Sequence, residues 1–348
     1  MAVVVHSFPL LDLPPDELRC VLKLMGSLDQ IAFSLISKPT KSLIRDVPKK
    51  PLLTVCLFIQ NYIHLNIAFP KLWKTASWQL SPKYENRNVN SVEWAVTEQV
   101  KVEYFDPDED GNGNILWRKK GFGAKEWLKH IMEVTNHLEI DVCRFEPSGQ
   151  CFQLASIART IEGLNVKQLV IDANCSDAHF RAILQTIYLD DVALFRNPYP
   201  SRELFHKVLI QNVEKVIYKN DKSLTLDDLL VMNFKILDYK TARGNHLTSI
   251  RFFNKFIKMW RTGYNTKLKI IRIIFDEAVN KETVLNGIKY SEVDPEAEIN
   301  SNRPLCKDAE LAKSMDIYDI NGARGAKATV YINKFNESSG WIEVAVWD

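Results

Sequence analysis

The sequence predicts an α/β chain in two parts: a small three-helix unit at the N-terminus, then a longer body in which short strands alternate with helices. Three observations carry this reading. Apolar residues recur at i, i+3, i+4 and i+7 within residues 1–50. Between about residues 138 and 276, β-like runs share one frame and are separated by helical stripes. Strand-like runs at 52–59, 62–69 and 92–105 lie between the two parts.

The first helix follows Leu13-Pro14-Pro15 and carries Leu18, Val21, Leu22 and Met25 on one stripe. Proline suits a helix start, where a missing N–H costs no bond, and Asp16 and Glu17 favour the positive end of the helix dipole. Gly26 is the expected stop, and Ser27 or Asp29 the expected cap of a second helix with Ile31, Ala32, Leu35 and Ile36. Lys38-Pro39 is expected to interrupt that helix. A third helix then carries Leu43, Ile44 and Val47 and stops at Pro48. A unit of roughly forty residues is marginally stable by itself. Part of its apolar surface therefore belongs to a partner or to the rest of the chain.

The strand-rich region contains Trp73, Trp78, Trp94 and Trp117. These read as packing residues, with a binding surface as the alternative. Asp106-Pro107-Asp108-Glu109-Asp110-Gly111 imitates the start of a calcium loop. Its twelfth position is Trp117, where a bidentate carboxylate is required, so residues 107–114 read as an acidic turn between two strands.

Further on, Val166, Leu169 and Ile171 set a frame that recurs at Val213, Val216 and Tyr218. It returns at Phe234, Leu237 and Tyr239, and again at Leu268, Ile271 and Ile273, with Ile140 and Val142 as an earlier member. Helical stretches are expected near 177–188, 224–232, 247–260 and 279–288. Strand–helix alternation at repeat-like spacing predicts an irregular leucine-rich-repeat-like α/β solenoid. The alternative is an open, doubly wound α/β sheet, although no glycine-rich phosphate loop follows any strand.

Composition narrows the function. Hydrophobic content of 46% and charged content of 25% are those of a globular protein, and a net charge of +2 gives no case for a nucleic-acid surface. The run 52–59 is far shorter than the ~20 residues of a membrane span, and the first six residues lack a signal-peptide pattern. Six cysteines without a CxxC pair read as reduced thiols of cytoplasm or nucleus. None of the seven histidines stands in a catalytic or metal-binding motif. His130 and His137, two helical turns apart beside Cys143, read as packed or surface histidines rather than metal ligands. These residues by themselves pick out no catalytic residue, cofactor or metal site.

Residues 8–47 resemble an F-box, specifically that of a large nematode family. The resemblance rests on Phe8-Pro9-Leu10-Leu11-Asp12-Leu13-Pro14, on Val21-Leu22-Lys23-Leu24-Met25, and on Ser34-Leu35-Ile36-Ser37-Lys38-Pro39-Thr40-Lys41-Ser42-Leu43-Ile44. Ile36 stands where that family has a small or polar residue. Residues 223–233 and 252–260 are similar to the F-box-associated type 2 domain of the same proteins. Asp319-Ile320, Gly325 and Ala328-Thr329 follow its C-terminal segment, with Gly322 replacing an arginine.

The resemblance implies a division into an F-box over 5–50, a connecting region over 51–121 and an F-box-associated domain over 122–348, with its signature near 205–275. It implies a non-catalytic substrate-receptor subunit of a Skp–cullin–F-box ubiquitin ligase. Leu13, Pro14, Leu18, Val21, Leu22, Met25, Leu35 and Ile44 would dock on the Skp-type adaptor and, through it, reach a cullin. The protein substrate and its contact residues are unknown at this level. Neither nucleic acid nor membrane is an expected partner. The alternative is a scaffold that binds the adaptor or another partner without delivering substrates.

Overall fold

A computed structural model describes residues 10–47, 54–69, 74–80, 99–105, 113–172, 174–187, 192–195, 201–220, 224–241, 250–275, 278–294, 314–336 and 339–347. Contacts divide the chain into two compact units. The first takes Met1–Val142 and Ser148–Asn165, the second Cys143–Pro147 and Val166–Asp348. Residues 122–142 and 148–165, expected with the C-terminal domain, thus group with the N-terminal helices.

The first unit opens with α1 (Pro15–Leu24), α2 (Ser27–Ser34) and α3 (Lys38–Arg45). Pro14 stands at the N-cap of α1, with Asp16 and Glu17 in the first turn. Two local details differ from expectation. Met25 already leaves α1 in an extended conformation, so Gly26, at φ −59°, needs no left-handed turn and stands at the N-cap of α2 instead. Pro39 breaks no helix: α2 ends at Ser34, and Pro39 sits in the first turn of α3, where no N–H is needed. Ser37 and Thr40 close the start of α3 with a reciprocal capping box.

Next come β1 (Thr54–Ile59), β2 (Ile63–Phe69), β3 (Lys74–Leu80), β4 (Gln99–Phe105), β5 (Gly113–Arg118), α4 (Ala124–Thr135), β6 (Glu139–Phe145) and α5 (Leu154–Ile161). Strands β1 to β5 form an antiparallel meander, and β6 follows β1 in sheet order. Val55, Leu57 and Ile59 alternate inward with Ile63, Leu65 and Ile67, the period-two pattern of a sheet with one buried face. Trp78 is fully buried, its ring 6.0 Å from that of Trp117, so these two tryptophans are core. Trp73, Trp94 and most of the expected acidic turn lie outside the described residues.

The second unit runs β7 (Asn165–Ile171), α6 (Asp177–Thr186), β8 (Val192–Phe195), α7 (Arg202–Leu209), β9 (Lys215–Asn220), α8 (Leu226–Val231), β10 (Ile236–Thr241), α9 (Ile250–Arg261) and β11 (Ile270–Phe275). These five strands lie side by side in chain order, each parallel to the next. Then follow α10 (Lys281–Val284), β12 (Tyr290–Glu292), β13 (Met315–Asn321), β14 (Lys327–Asn336) and β15 (Ser339–Trp347). Strand β15 pairs antiparallel with β11, and β14, β13 and β12 extend the sheet as a meander.

This is an α/β architecture, but the expected leucine-rich-repeat-like solenoid is not recovered. The parallel run ends against an antiparallel block, and its strand starts at 165, 192, 215, 236 and 270 keep no constant period. A solenoid needs each unit to stack on a like neighbour, and here the last parallel strand meets an antiparallel hairpin strand instead. Strand β8, which the sequence frame missed, fills the gap between Val166 and Val213. One sheet face packs under helices: Phe205 stacks on Tyr218 at 4.8 Å, and Phe253 meets Phe275 edge-on at 6.1 Å.

Candidate docking site

The N-terminal helices separate their apolar residues into two sets. Leu18, Leu22, Ile31, Ile44 and Val47 are buried. Leu11, Leu24 and Ile36 are 54%, 86% and 66% exposed. Of the eight predicted docking residues, Leu18, Leu22 and Ile44 thus turn inward and hold the helices together; Ile44 has no accessible surface. Pro14 is exposed, and Leu13, Val21, Met25 and Leu35 are half-buried.

Sequence reasoning followed the helical stripe, and the stripe is mostly the face that packs inside this unit. The apolar residues off the stripe are the exposed ones. Leu24 interrupts the polar side of α1, and Ile36 stands out against the pattern of its segment; both signals were present in the sequence.

The inward side is tied to α4. Ser34 Oγ donates to the Ile31 carbonyl at 2.6 Å, leaving its lone pair for His130 Nε2 at 2.8 Å. Lys41 pairs with Glu133, and Lys119 Nζ donates to the Leu35 carbonyl. Desolvation, helped by Lys41 and opposed by Glu133, pulls the His130 pKa down to about 4. His130 is therefore a neutral packed histidine. His137 Nε2 lies 3.0 Å from Asp141, and burial pushes the Cys143 thiol up to about 12, which leaves it protonated and a poor metal ligand. Among the described residues no group of three or more metal-type side chains converges. Nor is any helix there long and apolar enough to cross a membrane.

What distinguishes this unit is three short helices tied to α4, with leucine, isoleucine and proline left exposed. Residues 10–52 match the F-box domain family model, and residues 204–273 match the model described as F-box associated. This is an F-box protein with an F-box associated domain. Its F-box is the helical unit, and the associated domain's match runs from α7 into β11. The F-box associated domain-containing protein sdz-33 of Caenorhabditis elegans is 22% identical over 264 residues, 75% of this chain and 76% of that protein. No solved structure matches the chain.

The F-box associated match contains a tightly built charge centre. The Asp228 carboxylate, fully buried, accepts from the Thr225 N–H at 2.7 Å, the Thr225 hydroxyl at 2.8 Å, Arg202 at 3.2 Å and His206 Nε2 at 2.8 Å. This centre joins the start of α8 to α7. Arg202 Nη2 and His206 Nε2 both donate to this carboxylate, so its role is structural.

Proposed function

We propose that this F-box protein is a non-catalytic substrate-receptor subunit of a Skp–cullin–F-box ubiquitin ligase, acting in the cytoplasm or nucleus. The observation that carries the reading is the F-box match on a helical unit whose outward side keeps Leu11, Leu24 and Ile36 exposed. Exposed apolar side chains on so small a surface favour burial by a protein partner. The Skp-type adaptor takes that role, through Leu13, Pro14, Val21, Met25 and Leu35 together with the three exposed residues. Leu18, Leu22 and Ile44 support the site from within. The F-box associated domain then holds a target protein near the ubiquitin-conjugating enzyme. The gain is effective concentration rather than bond chemistry.

The test is co-purification of the full chain with the Skp adaptor. Leu13→Ala combined with Pro14→Ala removes docking surface without touching the buried set, so the thermal unfolding midpoint should hold while adaptor recovery falls by about tenfold or more. Unchanged recovery rejects these docking residues. A wild-type chain that binds the adaptor but supports no ubiquitin transfer to any bound protein would instead be a non-degradative scaffold.

A further inference from the structure

Helix α9 carries charge of one sign on one side. Arg251, Lys255, Lys258 and Arg261 follow one another at steps of four, three and three, which is a single helical face, and the helix contains no acid. Phe253, Phe256, Ile257 and Trp260 are its buried residues, whereas Arg251, Lys255 and Lys258 are exposed. Two segments of the same unit border the row. A Cβ on Gly287 would come 3.2 Å from Lys258 Nζ, and Arg261 Nε donates to the Asn321 carbonyl at 2.9 Å. Just beyond these contacts stand Lys289 and Arg324, both exposed.

Folding alone does not favour this row. Like charges three and four residues apart destabilise a helix, and a cation in the first turn, here Arg251, opposes the helix dipole. Other helices of this unit set carboxylates against their cations: Arg181 and Lys207 meet Glu203, Arg202 meets Asp228, and Lys281 meets Glu292. Among the described residues no carboxylate lies within ion-pair distance of Lys255, Lys258, Arg261, Lys289 or Arg324. The exposed acids on the flanking helices α8 and α10 are Asp227 and Glu282, so cations prevail on this surface. Arg324 is an independent sign of the same demand. Its φ of 58° lies in the left-handed region, where glycine fits without strain, yet an arginine is kept there.

We propose that the exposed face of α9, with Lys289 and Arg324 at its margin, receives an acidic helical segment of the target protein. Steps of four and three residues set the cations about 6 and 4.5 Å apart along the axis. A helix with Asp or Glu at i, i+4 and i+7 repeats those intervals, so each carboxylate meets a cation. Same-side residues of an extended strand recur at about 6.6 to 6.8 Å and fall out of step. Phe252 and Met259, half-buried beside Lys255 on the helical wheel, offer apolar contact to the same partner helix. A nucleic acid would meet a row only about 15 Å long, with too few cations to hold it tightly at physiological salt. The proposal rests on the substrate-receptor reading for the identity of its ligand, and on the α9 charges for the surface.

The experiment measures fluorescence anisotropy on the full chain, with and without the Skp adaptor. The probes are a labelled alanine-based helical peptide with Glu at i, i+4 and i+7 and Leu beside them, the same peptide with Gln for Glu, a scrambled form with its Glu residues spread around the helix, and a single-stranded RNA oligonucleotide. The Glu peptide should bind about tenfold more tightly than the Gln peptide and more tightly than the scrambled form, and its preference should shrink with added salt. Lys255→Gln combined with Lys258→Gln should remove that preference while the thermal unfolding midpoint holds or rises, because the change breaks no ion pair and relieves like-charge repulsion. Equal binding of the Glu peptide and either control, RNA displacing the Glu peptide, or a preference that survives the double lysine variant overturns the proposal. Intact adaptor binding without acidic preference rejects the surface only. Acidic preference without adaptor binding rejects the receptor reading and leaves the surface standing.

Discussion

His130 shows how a titratable residue can serve packing rather than chemistry. The Ser34 hydroxyl spends its hydrogen on Ile31, so His130 must carry its own proton on Nε2 to complete the bond. A second proton would bring charge into a site only 5% exposed, beside Lys41. The sign follows directly. The unfolded chain's histidine binds a proton near pH 6.5, whereas the folded one holds out to about 4. Between those values the unfolded state binds the extra proton, so stability falls as pH drops through that window and is unaffected above it. The full loss is on the order of 3 kcal/mol. Urea unfolding at pH 7 and pH 4.5 should show a larger drop in midpoint for the wild type than for His130→Gln, which keeps an N–H donor and cannot titrate. Equal drops would assign the acid sensitivity to other groups.

Among the elements, α8 owes most to its start. It spans six residues, too few to be stable by propensity, and its two ends of chemistry are Thr225 and Asp228. They form a reciprocal capping box, and Arg202 and His206 of α7 close on the same carboxylate. Thr225→Ala should cost about 1 kcal/mol. Asp228→Ala removes the one acceptor that Thr225, Arg202 and His206 share and should cost about 2 kcal/mol. Denaturant midpoints measure both, and a ranking in the opposite order would contradict this account of the cap. The Thr225-x-x-Asp228 pattern was legible as a helix start, as were the stripes of α6 and α9 and the strands β7, β9, β10 and β11. Strand β8 was not, because four residues offer too little alternation to mark a strand. Helix α7 was readable from Ser201 and the pairs Leu204-Phe205 and Val208-Leu209. The docking site was half legible. Amphipathic spacing identifies which residues are apolar on one side, but it does not distinguish the side that meets α4 from the side left to a partner.

At the scale of the whole molecule, the F-box is not a bead on a string. The expected boundary after residue 121 falls just before α4, the helix that receives Ser34 and Lys41 through His130 and Glu133. Three helices of eight to ten residues bury too little surface to offset their own ordering entropy, and α4 contributes Trp127, Leu128, Ile131 and Met132 to the buried side of the same unit. A fragment 1–121 keeps the F-box and the meander yet loses that helix, while a fragment 1–165 keeps the first unit whole. The longer fragment should unfold in one cooperative transition and retain adaptor binding. The shorter should show a shallow transition and expose apolar surface to a hydrophobic dye, because Ser34 and Ile44 would then face water. Matching cooperativity in both fragments would mean that the helices fold without α4, and the boundary would return to residue 121.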